Sequence, residues 1–235
     1  MLCLSDVQGN LDALRAVLAT AERRSFQKLI VAGDIVFPGS SPLETWRRLT
    51  AAGAVLIQGL GDKALAMLEP GNITAVTAHE RERLAQFKRT HDELGELILE
   101  RLRRLPNEVR IPLEDGRELL VCHGSPVDPS EAMTFDMSDE EINALIGDDP
   151  ADVIVCGMSH VPFDRMIGEV RVINVGSVGD APDGRASLAL PPQVAHATWI
   201  ESTAAGVTVD QVTVPLTPSS VRPEAGPSAT PVIEK

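Results

Sequence analysis

Leu2-Cys3-Leu4-Ser5-Asp6-Val7-Gln8-Gly9-Asn10 is the stretch from which the rest of the chain can be read. A short apolar run ends at a polar, glycine-containing loop. Leu11, Leu14, Leu18 and Ala21 then recur on one helical stripe. The reading is strand, loop, helix, with Asp6 at the carboxyl end of the strand. Two further strands follow in the same manner. Leu29-Ile30-Val31-Ala32 ends at Gly33-Asp34, and Ser41-Pro42 opens a helix to about Ala52 with serine as cap and proline in the first turn. Residues 54–57 form a third apolar run, broken by the glycines of Gly59-Leu60-Gly61-Asp62. Each polar motif falls where open α/β sheets place their ligands, at the carboxyl ends of strands.

Residues 77–105 are polar and helical, opened by a Thr77–Glu80 capping box and stopped by Pro106. Their apolar stripe includes Leu94, Ile98, Leu102 and Leu105, which predicts a helical pair inserted over the sheet at about 72–105. Glu108–Pro112, the turn Asp115-Gly116 and Glu118–Cys122 predict a hairpin that delivers His123. A second capping box, Ser138 to Glu141, precedes the strand Val153–Cys156 and the motif Gly157-Met158-Ser159-His160. Residues 170–174, 185–190, 195–201 and 207–214 read as mostly antiparallel strands. The order predicts two packed sheets with helices on their outer faces, an α/β domain over residues 1–216. Residues 217–235, rich in proline, serine and threonine, cannot bury enough apolar surface to order themselves and are expected to form a disordered, dispensable tail.

With 43% apolar residues in 235, the chain can bury a sizeable core. Its formal charge of −13 opposes broad binding to nucleic acid or anionic membrane, so an anionic substrate would need a local cation. Cys3, Cys122 and Cys156 lie in apolar strands without paired spacing and read as core thiols. No apolar run reaches membrane-spanning length and no leader-like segment is seen, which makes the cytoplasm the expected location.

The motifs Asp6-Val7-Gln8-Gly9-Asn10, Gly33-Asp34, Gly59-Leu60-Gly61-Asp62, Cys122-His123-Gly124 and Gly157-Met158-Ser159-His160 are similar in order and spacing to those of the calcineurin-like metallophosphoesterases. In that family the corresponding motifs run Asp-x-His, Gly-Asp, Gly-Asn-His-Asp, Gly-His or His-Gly, and Gly-His-x-His. Asn174-Val175-Gly176-Ser177-Val178-Gly179 resembles the family's Asn-Pro-Gly-Ser-Val-Gly turn, with valine for proline. The resemblance implies a four-layer α/β/β/α sandwich of two mixed sheets, a phosphate ester small molecule as substrate, and two divalent cations bridged by an aspartate. Asp6, Asp34, His123 and His160 match ligand positions, Asp34 being the bridging one.

The departures from the pattern are equally specific. Gln8 replaces the histidine of the first motif, Leu60 the ligating asparagine, and Met158 the first histidine of the last motif. Gly61 stands where the family often carries a histidine thought to protonate the leaving group. By analogy Asp6, Gln8, Asp34 and His160 would surround one metal, Mn²⁺, Fe or Zn²⁺, while the second set retains only Asp34 and His123 and is expected to be empty or weak. His123, Asp62 and Asn10 are the candidate catalytic residues. Leu60 and Met158 are expected to fill the second metal's place. Two functions are open: a phosphomonoesterase or phosphodiesterase with one well-held ion and reduced activity, or a catalytically inactive relative that binds a phosphorylated ligand or a protein in the same cleft.

Arg81, Arg83, Arg89 and His91 on the insertion read as a solvated helix face, and His79 and His196 match no motif. Trp46 and Trp199 read as packing residues.

Overall fold

A computed structural model describes residues 1–182 and 193–216. The strand expected at 185–190 and the tail expected from 217 lie outside the described residues. In chain order the elements are β1 (Leu2–Leu4), α1 (Leu11–Ala21), β2 (Leu29–Val31), α2 (Pro42–Ala51), β3 (Val55–Leu56) and α3 (Leu60–Met67). Then come α4 (Ala78–Arg103), β4 (Glu108–Pro112), β5 (Glu118–Cys122), α5 (Asp139–Ile146), β6 (Val153–Cys156), β7 (Phe163–Ile167), β8 (Val170–Asn174), β9 (Val194–Thr203) and β10 (Gly206–Pro215).

Among the described residues two five-stranded sheets form, in the orders β10-β9-β1-β2-β3 and β4-β5-β6-β8-β7. Both are mixed. β1, β2 and β3 run parallel in one, and β5, β6 and β8 run parallel in the other. The parallel strands are short apolar runs because both their faces are covered. Cys3, Ile30, Ala32 and Ile57 of the first sheet meet Leu119, Val121, Val153, Val155 and Ile173 of the second in a buried layer. The first sheet's outer face packs on α1, α2 and α4 through Leu14, Val17, Trp46, Leu49, Leu99 and Leu102. α5 covers the other sheet through Ile142 and Ile146. These are the four layers α/β/β/α.

The inserted helical pair is present as α4, two polar helical segments joined at Gly95, whose φ of +67° takes the backbone out of the helix. Two local readings change. α3, absent from the sequence reading, starts immediately after the β3 motif despite Gly59 and Gly61. β7 was also not expected; it is an edge strand that returns as β8 through a turn at Gly168. No helix among the described residues is long and apolar enough to cross a membrane. The three cysteines are free and buried, and burial pushes the Cys3 and Cys122 thiols up to about 12, so they are packing groups and not nucleophiles.

Candidate metal centre

The parallel strands of both sheets deliver their carboxyl ends to one edge of the sandwich, and the loops that follow them touch there. Asp6 N donates to Gly33 O, Gln8 N to Asp34 O and Gly157 N to His123 O. The Asn174 to Gly179 turn braces the same loops. Asn174 Nδ2 donates to Gly157 O and Ser159 Oγ, while Ser177 Oγ and Gly179 N both donate to Asp6 O.

Among the described residues, the non-glycine residues with positive φ are Asp6, Gln8, Asp34, Met158 and His160. All five stand at metal-ligand positions of the motifs. A left-handed backbone costs an L-residue about 1–2 kcal/mol, and such strain concentrates at functional sites because the surrounding structure holds it in place. Gly33 and Gly59 permit the close approach: a Cβ on the first would lie 2.6 Å from His123 Nδ1, and on the second 2.1 Å from Asp34 N.

Ligand atoms of Asp6, Asp34 and His123 lie within 4.8 Å of one another. His123 Nδ1 is 2.7 Å from Ala32 O; a carbonyl only accepts, so Nδ1 carries the hydrogen and a neutral ring presents the Nε2 lone pair to the centre. That Nε2 is 3.6 Å from Asp34 Oδ1. Asp34 Oδ1 also accepts from Gly61 N at 2.7 Å, in the first turn of α3, where the helix dipole favours a carboxylate. Asp6 is fully buried; its Oδ2 accepts from Met158 N, while its Oδ1 has no hydrogen-bond donor. His160 stands at the rim with Nε2 3.2 Å from that Oδ1, an ion-pair contact when the ring is protonated, and 3.3 Å from Gln8 Nε2.

Burial raises the pKa of Asp34, and the neighbouring Asp6 charge adds to this against the opposing pull of His123. Burial works against the His160 imidazolium, but the carboxylates of Asp6, Asp180 and Asp34 outweigh it and raise its pKa. Two carboxylates, one with an oxygen that has no hydrogen-bond partner, and a free imidazole nitrogen converge on one point. The donor set of two carboxylates and one or two imidazoles fits a borderline or hard divalent cation.

The other sequence candidates are placed differently. Asn10 is the N-cap of α1: Oδ1 accepts from Ala13 N and Nδ2 donates to Gly179 O, so its side chain is spent on backbone. Asp62 is fully buried and accepts from Ile35 N and Gly59 N, bracing the turn into α3. Leu60, in the first turn of α3, is 38% exposed. Met158 is half-buried and tied to the centre through its main-chain N–H, which donates to Asp6 Oδ2. On α4, Arg81, Arg83 and Arg89 are exposed. Trp46 and Trp199 are buried. One residue escaped the sequence reading, Asp180, and another, His196, was seen but matched no motif. His196, 7% exposed, receives a bond from Ser177 N at 3.4 Å, and Asp180 places Oδ2 3.3 Å from His160 Nδ1. Asp180 directly follows the Gly176-Ser177-Val178-Gly179 turn, the one signal that could have pointed to it.

The brace and the charge of Asp62 are separately measurable. Asp62→Ala leaves two buried N–H groups without acceptors, at about 1–3 kcal/mol each, and is expected to lower the melting temperature by roughly 5–10 °C. Burial, then the Asp34 charge, pushes the Asp62 carboxyl from 3.8 up to about 7. The folded state therefore holds this proton more tightly than the unfolded one. The resulting stability is fully present below about pH 4 and is lost as pH rises through about 7. The metal-free protein should melt several degrees lower at about pH 8 than at about pH 5, and Asp62→Asn should flatten this dependence. An unchanged slope in the variant would remove Asp62 as its source.

Residues 1–191 match the calcineurin-like phosphoesterase superfamily domain. An uncharacterised protein of Methanocaldococcus jannaschii, MJ0912, is 25% identical over 204 residues, covering 77% of this chain and 76% of its own length. The crystal structure of the hypothetical protein PH1004 from Pyrococcus horikoshii OT3 superposes with a TM-score of 0.76 at 23% identity, covering 94% of this chain and 90% of that one. A metallophosphoesterase from Sphaerobacter thermophilus does so with a TM-score of 0.65 at 25% identity, covering 90% and 87%.

Proposed function

Since the chain belongs to the calcineurin-like phosphoesterase superfamily, we propose that it is a metal-dependent phosphoric ester hydrolase, a phosphomonoesterase or phosphodiesterase working with one divalent ion. The observation that carries this reading is Asp6 Oδ1, a buried carboxylate oxygen with no donor, beside Asp34 and the free Nε2 of His123. A site relaxed into a binding cleft would have no reason to retain that orphan or the five left-handed residues around it.

Asp6, Asp34 and His123, with His160 and the Gln8 amide at the rim, would hold the ion. A bound divalent cation supplies Lewis-acid polarisation of a phosphoryl oxygen and makes water a nucleophile at neutral pH. Each protein group has a defined part around it. Gly61 N and the α3 dipole favour the charged form of Asp34 against the burial that disfavours it. His123 is held to one tautomer by Ala32 O, so its Nε2 can accept a bond from water or from a protonated phosphate oxygen if it is not ligating. Gln8 offers a neutral donor to a phosphoryl oxygen at the half-buried rim, and the exposure of Leu60 leaves the second position open to a phosphate ester.

Protein purified without chelator is expected to carry about one Mn, Fe or Zn ion per chain, and to hydrolyse an aryl phosphomonoester or phosphodiester in a manner stopped by EDTA and restored by the ion. No bound ion, together with no turnover under Mn²⁺, Fe²⁺ or Zn²⁺, would make it a binding protein on a phosphoesterase scaffold.

A further inference from the structure

We propose that the exposed side of α3 is a subsite for the apolar part of the substrate, so that the preferred substrate is a phosphate ester of a hydrophobic alcohol, its phosphoryl group at the metal centre and its hydrocarbon along Leu60, Ala64 and Met67. This rests on the hydrolase reading and narrows its substrate class. A helix on a protein surface normally turns charged and polar residues outward. α3 does not. Its inner side buries Asp62, Leu65 and Ala66, while the opposite side carries Leu60, Ala64 and Met67 at helical spacing, continued by Leu68 at the C-cap. Leu60 is 38%, Met67 62% and Leu68 49% exposed, and Ala64 is half-buried. Three of the eight large apolar side chains exposed among the described residues thus fall on this one short element.

The stripe has an occupant of defined chemistry because one end of it is the metal centre. Leu60 directly precedes Gly61, whose N donates to Asp34 Oδ1 at 2.7 Å. Helical side chains lean toward the N-terminus of their helix, which for Leu60 is the end that meets Asp34. From Leu60 to Met67 the helix rises by about 10 Å, the reach of an extended octyl chain. The loop that follows His123 adds Val127, 60% exposed. Its neighbour Asp128 shows that this loop is close to α3: bonds from Ser130 lower the Asp128 pKa most, and the Lys63 charge adds to them. Lys63, exposed and one turn from Leu60, supplies a cation beside the ester's negative charge. The chain as a whole carries −13, which opposes an anionic ligand, whereas contact with hydrocarbon gives binding energy that this charge does not oppose.

The test uses the full chain with Mn²⁺ and two matched pairs of probes below micelle-forming concentration: p-nitrophenyl ethyl and p-nitrophenyl octyl phosphate as substrates, and ethyl- and octylphosphonate as ligands that cannot be hydrolysed. In wild type the octyl ester should show a kcat/KM higher by about tenfold or more, and octylphosphonate should bind more tightly by a similar factor in calorimetry, since each methylene laid on the stripe leaves water in part. Met67→Gln combined with Leu68→Gln replaces two exposed side chains. It should reduce both ratios several-fold while the constants for the ethyl probes and the melting temperature stay as in wild type, and Met67→Leu should keep the wild-type ratios. Equal constants for ethyl and octyl probes in wild type, or ratios that survive the double substitution, overturn the assignment and leave the stripe to a protein partner. If neither ester is turned over, the hydrolase reading fails on its own, and the phosphonate ratio still decides whether α3 receives hydrocarbon. A protein that binds neither phosphonate overturns the subsite as well.

Discussion

Asp34→Asn is expected to empty the centre, lowering Mn²⁺ affinity by roughly a hundredfold or more and bringing phosphoesterase turnover to background. The scale follows from its position: even the partners behind a ligand contribute roughly 10–100-fold to metal binding, and Asp34 is one of the two carboxylates that converge here among the described residues. Its Oδ1 faces both His123 Nε2 and Gly61 N, so no neighbour can take its place. The fold should survive, because asparagine is among the residues most tolerant of the left-handed backbone found at this position. Removing a charge that burial and Asp6 both disfavour should even raise the metal-free melting temperature. Full metal content in a well-folded Asp34→Asn protein would show that the ion, if any, is held elsewhere.

The second large effect is a gain. Gln8→His, Leu60→Asn and Met158→His together are expected to raise bound Mn²⁺ toward two ions per chain and to increase turnover of an aryl phosphodiester by about tenfold or more. The scaffold favours these changes. Gln8 and Met158 already stand in the left-handed conformation that histidine accepts better than most residues, and Leu60 is exposed at the helix start, where asparagine displaces no core. Gly61→His is the harder restoration. A Cβ there lies 3.3 Å from Asp34 Oδ1, so it presses on the carboxylate it is meant to assist, and it is best added last. Single restorations should do much less than the three combined, since groups that act as one catalytic unit are strongly non-additive. A triple variant that folds, keeps Asp34 and still binds no second ion would mean that positions 8, 60 and 158 do not surround a second metal place.

The strand-loop-helix units and the position of each motif were legible in the sequence for a local reason, whereas the four-layer arrangement was implied by the family resemblance. An apolar run of three or four residues followed by a glycine-bearing polar loop has few ways to be buried, and ridges of leucine at helical spacing say which face is covered. Asp6, Asp34, His123 and His160 were therefore expected to follow strand ends, and the parallel pairing of β1 with β2 and of β5 with β6 sets those ends at one edge. What the residues do once together depends on contacts between atoms far apart in the chain. Asp62 and Asn10 stand within motifs beside the ligands, yet their oxygens accept backbone N–H groups. Leu60 faces solvent because α3 begins at that residue, a helix that two glycines hid from any periodicity. The His123 tautomer is decided by a carbonyl 91 residues away, and His160 meets both Gln8, 152 residues away, and Asp180. Residue type and spacing locate a ligand at the end of a strand; which lone pair it presents is settled by hydrogen-bond partners that only the packing of the two sheets supplies.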